Sequence, residues 1–472
     1  MDEEKIIETG EGAKDGQTKC PKCGATDISL NTGTGKLRCN FCRFEFDPVG
    51  LDEMHRDVDD IEGEEMGSGA VDIDAEAEKM VTLKCTSCGA EVVINLEEAS
   101  QARCHWCRNM LSINSKVPNG TVPDAVLPFK MKKEEARTLI DNFIGKRKFY
   151  ADKTFRREFS TENIMGVYFP YMLVDMKGHA SLSGEGEIKR GSYSRKVGKD
   201  QHETVYKVES FNIQRECDVL IDDLAVESSA RRATGSNSDE TNNIINAILP
   251  FDTENCVKYD SNYLKGFTSE KRDTNKADLQ PVVDSQEKEA IKFALNDSVK
   301  EFDRGVRWDY FDVKKEGEKW LSAYLPVWLF SYVQNAGMPN QLTHYVAVNA
   351  RTSETIGSVP VNKGRMLGVA FAIAFAVFIA AFLILGSGRD SNGMFIPFVA
   401  AFLAGGIFYG ATFSKYRNTG ARHHFETETK INLSNITGGQ QSLRHFETTN
   451  VSMQNANNTK VFIEKLHTHD NE

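Results

Sequence analysis

Of the ten cysteines in this 472-residue chain, eight fall into four Cys-x-x-Cys pairs. The first module reads Cys20-Pro-Lys-Cys23, then fifteen residues, then Cys39-Asn-Phe-Cys42; the second reads Cys85-Thr-Ser-Cys88, fifteen residues, and Cys104-His-Trp-Cys107. A two-residue gap lets two thiolates of one tight turn reach the same ion. A glycine after the second cysteine (Gly24, Gly89) permits the positive φ such a knuckle needs. The excursion in the first module suits a hairpin, with Ile28–Leu30 and Lys36–Arg38 flanking a turn that contains Gly33 and Gly35. Four thiolates in a closed shell select tetrahedral Zn²⁺, with Zn–S of about 2.3 Å. The expectation is therefore two structural zinc ions, one per ribbon, with a rubredoxin-like iron or a redox dithiol as the alternatives. Neither set leaves an open coordination position, so zinc catalysis is not expected. His105 lies inside a complete ligand set and reads as a surface bystander. A module of this size buries little core, so the metal supplies its folding energy.

Other chemistry-bearing residues form no reactive set. Gly33-Thr-Gly-Lys36 lacks the earlier glycine of a phosphate-binding loop and has Leu37 where Ser or Thr would stand. Cys217 and Cys256 read as small core residues. His179, His202 and His344 are scattered with no nucleophile pattern nearby, and His423-His424 and His467-x-His469 read as incidental. Trp308, Trp320 and Trp328 read as core anchors. No enzyme emerges from this inventory.

Charge decides between partners. Residues 51–80 hold twelve acids and two bases, so this one stretch carries −10 of the formal −11. Residues 18–46 sum to +3 and residues 82–111 to 0, and four thiolates around one Zn²⁺ add −2 to each. That is poor material for counterion-release binding, so protein contact is the better reading of the ribbons than nucleic acid.

The elements that position these modules follow from the remaining pattern. Residues 1–18 are polar and read as disordered, 19–46 and 84–111 as the ribbons, and 47–80 as an acidic, solvated spacer that self-repels and extends. Residues 120–365 read as an α+β interaction domain. A helix is predicted over Lys132–Ile144, and strands over Val167–Met176, Tyr324–Val333 and Tyr345–Asn349. Val126-Leu-Pro-Phe129 is echoed by Ile248-Leu-Pro-Phe251, and Tyr168-Phe-Pro-Tyr-Met-Leu173 by Tyr324-Leu-Pro-Val-Trp-Leu329, which suggests an internal repeat.

Two uncharged apolar runs of twenty residues follow, Met366–Leu385 and Met394–Phe413. At 1.5 Å per residue each covers the roughly 30 Å hydrocarbon core. Buried core helices are the alternative, but helices of that kind usually carry a polar stripe. Lys363 and Arg365 precede the first run, and Lys415, Arg417 and Arg422 follow the second. The positive-inside rule then puts both ends in the cytoplasm of a multi-pass cell-membrane protein. The acidic N-terminus shows no cleaved signal peptide, which agrees with thiols kept reduced for metal. Residues 414–472 read as a polar cytoplasmic tail in which Phe425–Leu433 alternates like a strand. Gly405-Gly406 permits helix packing, and with it a homo-oligomer.

The ordered set Val126-Leu-Pro-Phe-Lys130 with a following Glu-Glu-Ala helix, Gly166-Val-Tyr-Phe-Pro-Tyr171, Leu325-Pro-Val-Trp-Leu329 and Tyr345-Val-Ala-Val-Asn349 resembles the bacterial TFIIB-type zinc-ribbon membrane proteins. The resemblance covers roughly residues 84–415. It implies a membrane-stress role beside phage-shock protein A-like and flotillin-like (SPFH) partners. That group usually has Asn-Gly-x-Thr-Gly where this chain has Asn349-Ala-Arg-Thr-Ser353. The expected function is a non-enzymatic, membrane-anchored scaffold that recruits soluble proteins; the alternative is a membrane-tethered nucleic-acid or transcription-machinery adaptor.

Overall fold

The computed structural model describes residues 5–7, 20–25, 28–47, 57–71, 80–84, 91–95, 103–106, 116–117, 123–158, 160, 163–197, 202–229, 248–259, 261–264, 266–334, 342–385, 395–417, 419–420 and 428–449. A short strand, β1 (Lys5–Ile7), comes first. The expected hairpin follows as β2 (Ile28–Asn31) and β3 (Lys36–Cys39), and β4 (Glu45–Phe46) completes a small separate sheet. Next come β5 (Gly63–Gly67), β6 (Met80–Lys84), β7 (Glu91–Asn95) and β8 (Lys116–Val117). The main domain opens with β9 (Ala125–Val126) and α1 (Lys133–Gly145), within a residue of the predicted helix. Its buried stripe, Ala136, Ile140, Phe143 and Ile144, has the 3.6-residue period of a one-faced helix.

After α2 (Lys153–Glu158), the chain forms a long hairpin of β10 (Ile164–Lys196) and β11 (His202–Glu227). Then follow β12 (Val257–Lys258), β13 (Thr268–Glu270), α3 (Lys276–Leu295), β14 (Val306–Gln334), β15 (Leu342–Asn349) and β16 (Thr355–Gly357). The apolar helices α4 (Lys363–Leu385) and α5 (Phe395–Arg417) are followed by β17 (Thr419–Gly420), β18 (Lys430–Thr437) and β19 (Gln440–Thr448).

Antiparallel β10 and β14 are the spine of the large mixed sheet. From Ile164 to Met176 β10 is almost continuously buried, as a strand covered on both faces must be. One face packs Val167, Phe169 and Tyr171 with Leu325, Leu329 and Trp106. The other packs Tyr168 with Phe129, Ile140 and Trp328, and farther along Val174 and Met176 against Leu279, Val283 and Ile291 of α3. Beyond Lys177 the burial alternates, because only one face stays covered.

The spine has a local two-fold. Phe169 pairs with Leu325, Tyr168 with Pro326 and Pro170 with Tyr324, so the two Tyr-x-Pro motifs pair with one another. Parallel β13 joins β10 at Val167, and parallel β9 joins β14 at Ala323. Tyr171 then pairs with Glu227, and Val327 with Asn349. Each short parallel strand is followed by a helix, α1 or α3. By this register the counterpart of β9 is β13, not Ile248–Phe251. That second Leu-Pro-Phe instead lies under the β15–β16 turn, where Asn349 Nδ2 donates to the carbonyls of Ile248 (3.0 Å) and Pro250 (2.9 Å).

Three expectations change. The acidic segment is not a free spacer where it is described: β5 pairs in parallel with β14 from Gly317 to Trp320, and β1, inside the stretch read as disordered, pairs with β5. Cations hold it by its backbone rather than by its acids alone. Arg272 donates to the carbonyls of Ala70 and Val71, Lys177 to that of Asp59, and Lys276 ion-pairs with Glu64. The two segments read as separate ribbon modules are joined to the main domain as well. Ile28 and Leu37 share a cluster with Phe129 and Trp328, and β7 pairs with β13. Lastly, the polar tail returns to the sheet, where β18 and β19 cover the outer edge of β11. The rest of residues 1–18 and residues 450–472 lie outside the described residues.

Candidate metal centre

Local backbone chemistry builds the first cysteine set. The Gly24 N–H donates to the Cys20 carbonyl (2.8 Å) and the Arg43 N–H to that of Cys39 (2.9 Å), closing two equivalent knuckles. Both closing residues take positive φ, +73° at Gly24 and +62° at Arg43. Glycine does this freely; Arg43 does it against its own Cβ. Pairing of Ile28 with Cys39 then brings the knuckles together.

Ligands about 2.3 Å from a tetrahedral centre stand about 3.8 Å apart. Here Cys20 and Cys42 Sγ are 3.6 Å apart, as are Cys23 and Cys39 Sγ, and the four sulfurs all lie within 4.8 Å of one another. The set fits a tetrahedral ion. The backbone N–H of Cys42, 3.5 Å from Cys39 Sγ, together with that of Phe41, draws the Cys39 thiol down to about 7. Cys23 moves the other way: against the pull of the Ala25 N–H, desolvation and its hydrogen bonds to the other three thiols push it up to about 12. Four clustered thiols thus compete for protons, and a bound cation removes that competition.

Of the second set, Cys85, Cys88 and Cys107 lie outside the described residues, while Cys104 is buried in the main core. Lys84 pairs with Glu91, so the Cys85–Cys88 pair falls in the connection between β6 and β7. His105 is not a surface bystander. It is buried, with Nε2 2.7 Å from Glu270 Oε2, and Trp106 Nε1 donates to that same oxygen at 2.8 Å. Trp106 also meets Phe169 and Tyr345 edge-on. Glu270 was invisible to motif reading because it lies 165 residues from His105; its only signal is an acid on a strand whose other residues are buried.

Two acidic clusters have metal-like spacing, yet lysines stand where a cation would. Lys315 Nζ lies 2.9 Å from both Asp284 and Glu287 and also contacts Glu318. Lys319 Nζ lies 3.3 Å from Asp175, beside Asp222 and Asp223. Burial first, then Asp175 and Asp222, push the Asp223 carboxyl up to about 7. The remaining candidates sit as core or surface residues. Cys217 and Cys256 are buried, with thiols raised by that burial. His344 is held down to about 4 by burial, His179 contacts Asp218 at 2.8 Å, and His202 is exposed. Trp320 and Trp328 are core anchors, while Trp308 is half-buried. Lys36 pairs with Asp47 at 3.1 Å.

Helices α4 and α5 are each long and apolar enough to cross a membrane. They pack through Gly405, where a Cβ would stand 3.1 Å from Ala374 Cβ and 3.2 Å from the Ala370 carbonyl; Gly406 faces open space. Phe371, Phe375, Phe402 and Ile407 point outward, uncovered.

No family model and no solved structure matches the chain. It is similar to the uncharacterized protein YdjG of Bacillus subtilis (strain 168), with 21% identity over 375 residues, 78% of this chain and 96% of that protein.

Proposed function

We propose that this chain is a non-enzymatic scaffold anchored in the cytoplasmic membrane. In this reading α4 and α5 cross the bilayer as a hairpin, and the sheet and both chain ends lie in the cytoplasm. The ribbons, each folded around Zn²⁺, recruit soluble proteins together with the α+β domain, itself the product of an internal duplication. The observation that carries the reading is the splice between hairpin and sheet. β16 before α4 pairs with β17 after α5, and the Val359 N–H donates to the Tyr416 carbonyl at 3.1 Å. A body joined in this way sits on one side of any bilayer its two helices cross, and the basic flanks favour the cytoplasmic side.

The first ribbon offers a contact surface. Phe41 is 80% exposed at the tip of the second knuckle, and Phe44 lies nearby with Lys22 over its ring at 5.7 Å. An exposed aromatic beside a metal-fixed turn suits a protein partner. Affinity capture of the full-length protein from native membranes, beside Phe41→Ala and Cys23→Ser, tests the reading. Recovery of phage-shock protein A-like or flotillin-like proteins that both variants lose is the expected result. Polymerase subunits or nuclease-sensitive complexes would replace the scaffold with the nucleic-acid adaptor.

A further inference from the structure

Between residues 146 and 157, which span the turn after α1 and all but the last residue of α2, Lys146, Arg147, Lys148, Lys153, Arg156 and Arg157 stand against a single acid, Asp152. Asp152 is occupied in starting α2, where its Oδ1 accepts from the N–H groups of Thr154 (2.8 Å) and Phe155 (3.2 Å). This run is fastened to the roots of both apolar helices. Arg147 Nε donates to the Lys415 carbonyl (3.4 Å) at the end of α5. The Tyr150 N–H donates to the Tyr416 hydroxyl (3.3 Å), and its ring lies 6.3 Å from that of Phe408. At the start of α4, the Asn362 N–H donates to the Tyr150 carbonyl (2.8 Å), and Arg365 Nη1 to that of Phe149 (3.0 Å).

That fastening fixes the depth of the run. If α4 and α5 cross a bilayer, residues 146–157 lie where the helices leave it, at the headgroups. Lys146, Lys148, Lys153 and Arg157 are exposed there, and none forms an ion pair with another described residue. Phe149 is 58% exposed beside them, with the Arg365 guanidinium 4.8 Å from its ring centre. An exposed apolar ring among bases suits a surface lying in the interface, where the ring enters the boundary between headgroup and acyl chain and the bases are drawn to an anionic leaflet.

We infer that residues 146–157 form a binding surface for anionic phospholipid headgroups in the leaflet through which the hairpin enters. The inference rests on the membrane reading above and adds to it a lipid preference that an apolar hairpin alone does not confer. Arg147 and Tyr150 hold the surface in place, whereas Lys146, Lys148, Lys153 and Arg157 meet phosphate oxygens.

The test uses full-length protein reconstituted in phosphatidylcholine vesicles with and without phosphatidylglycerol. Spin-labelled versions of the two lipids report which one the protein holds. A base near the surface contributes about fivefold in partition. The combined variant Lys146→Gln, Lys148→Gln, Lys153→Gln, Arg157→Gln should therefore cut the preference for phosphatidylglycerol by roughly tenfold or more. A control of equal charge change on the distal sheet, Lys189→Gln, Lys196→Gln, Lys207→Gln, Lys314→Gln, should keep it. Equal loss in both variants, or no preference in the unmodified protein, overturns the inference while leaving the anchor intact. Release from vesicles by an alkaline wash overturns the anchor and the inference together.

Discussion

Arg43 and Ser353 occupy backbone positions that glycine fills more cheaply. Arg43 closes the second knuckle at φ +62°, and Ser353 closes the turn after Asn349 at φ +74°. A side chain at such a φ costs roughly 1–2 kcal/mol. Arg43→Gly should leave zinc in place and strengthen its retention several-fold in a chelator competition. Gly24→Ala should weaken it about tenfold, since the space there is open and only the backbone is strained. Cys23→Ser should lower bound zinc by one ion per chain, read by elemental analysis. The first cysteine cluster was the most legible part of the sequence for a physical reason: its four thiols come from two tight turns and one hairpin. Glu270 was illegible for the opposite reason. It meets His105 and Trp106 only after β7 has paired with β13, and no local pattern encodes that meeting.

Among the elements, α1 and the spine strands could be read from period and composition, because each buries a stripe or a face of its own. The acidic β5 could not. Its pairing partner β14 lies some 250 residues downstream, and Arg272 and Lys177 hold it through carbonyls that any sequence would offer. The Leu-Pro-Phe echo misled for a related reason: a motif of three residues can recur without its surroundings, and the strand register assigns the two copies different places. For the apolar hairpin the packing makes a sharp distinction between neighbours. Gly405→Leu would drive a side chain into Ala370 and Ala374 and should destabilise the helix pair by about 1–3 kcal/mol. Gly406→Leu meets open space and should be near neutral. Thermal unfolding of the two variants in mild detergent compares them directly.

For the whole molecule, ion balance sets a pH response. The Asp223 carboxyl is raised from 3.8 to about 7, so the fold favours its protonated form. Its contribution is complete below pH 3.8 and drains away as pH rises through about 7. Asp223→Asn should match the parent near pH 4 and be more stable at pH 8 by ~1 kcal/mol or more, with asparagine tolerating the φ of +52° at this position. Denaturation followed at both pH values reads the difference. The return of β18 and β19 to the sheet has a consequence for biogenesis. During synthesis the long edge of β11 is made early, yet the strands that cover it emerge only after both apolar helices. Until then the nascent sheet presents an open row of backbone donors and acceptors, the kind of edge that templates aggregation. In the proposed membrane reading, delivery to the bilayer and completion of the fold are thus ordered in time, and a ribosome stalled between the two leaves an unfinished sheet for the cell's quality control to find.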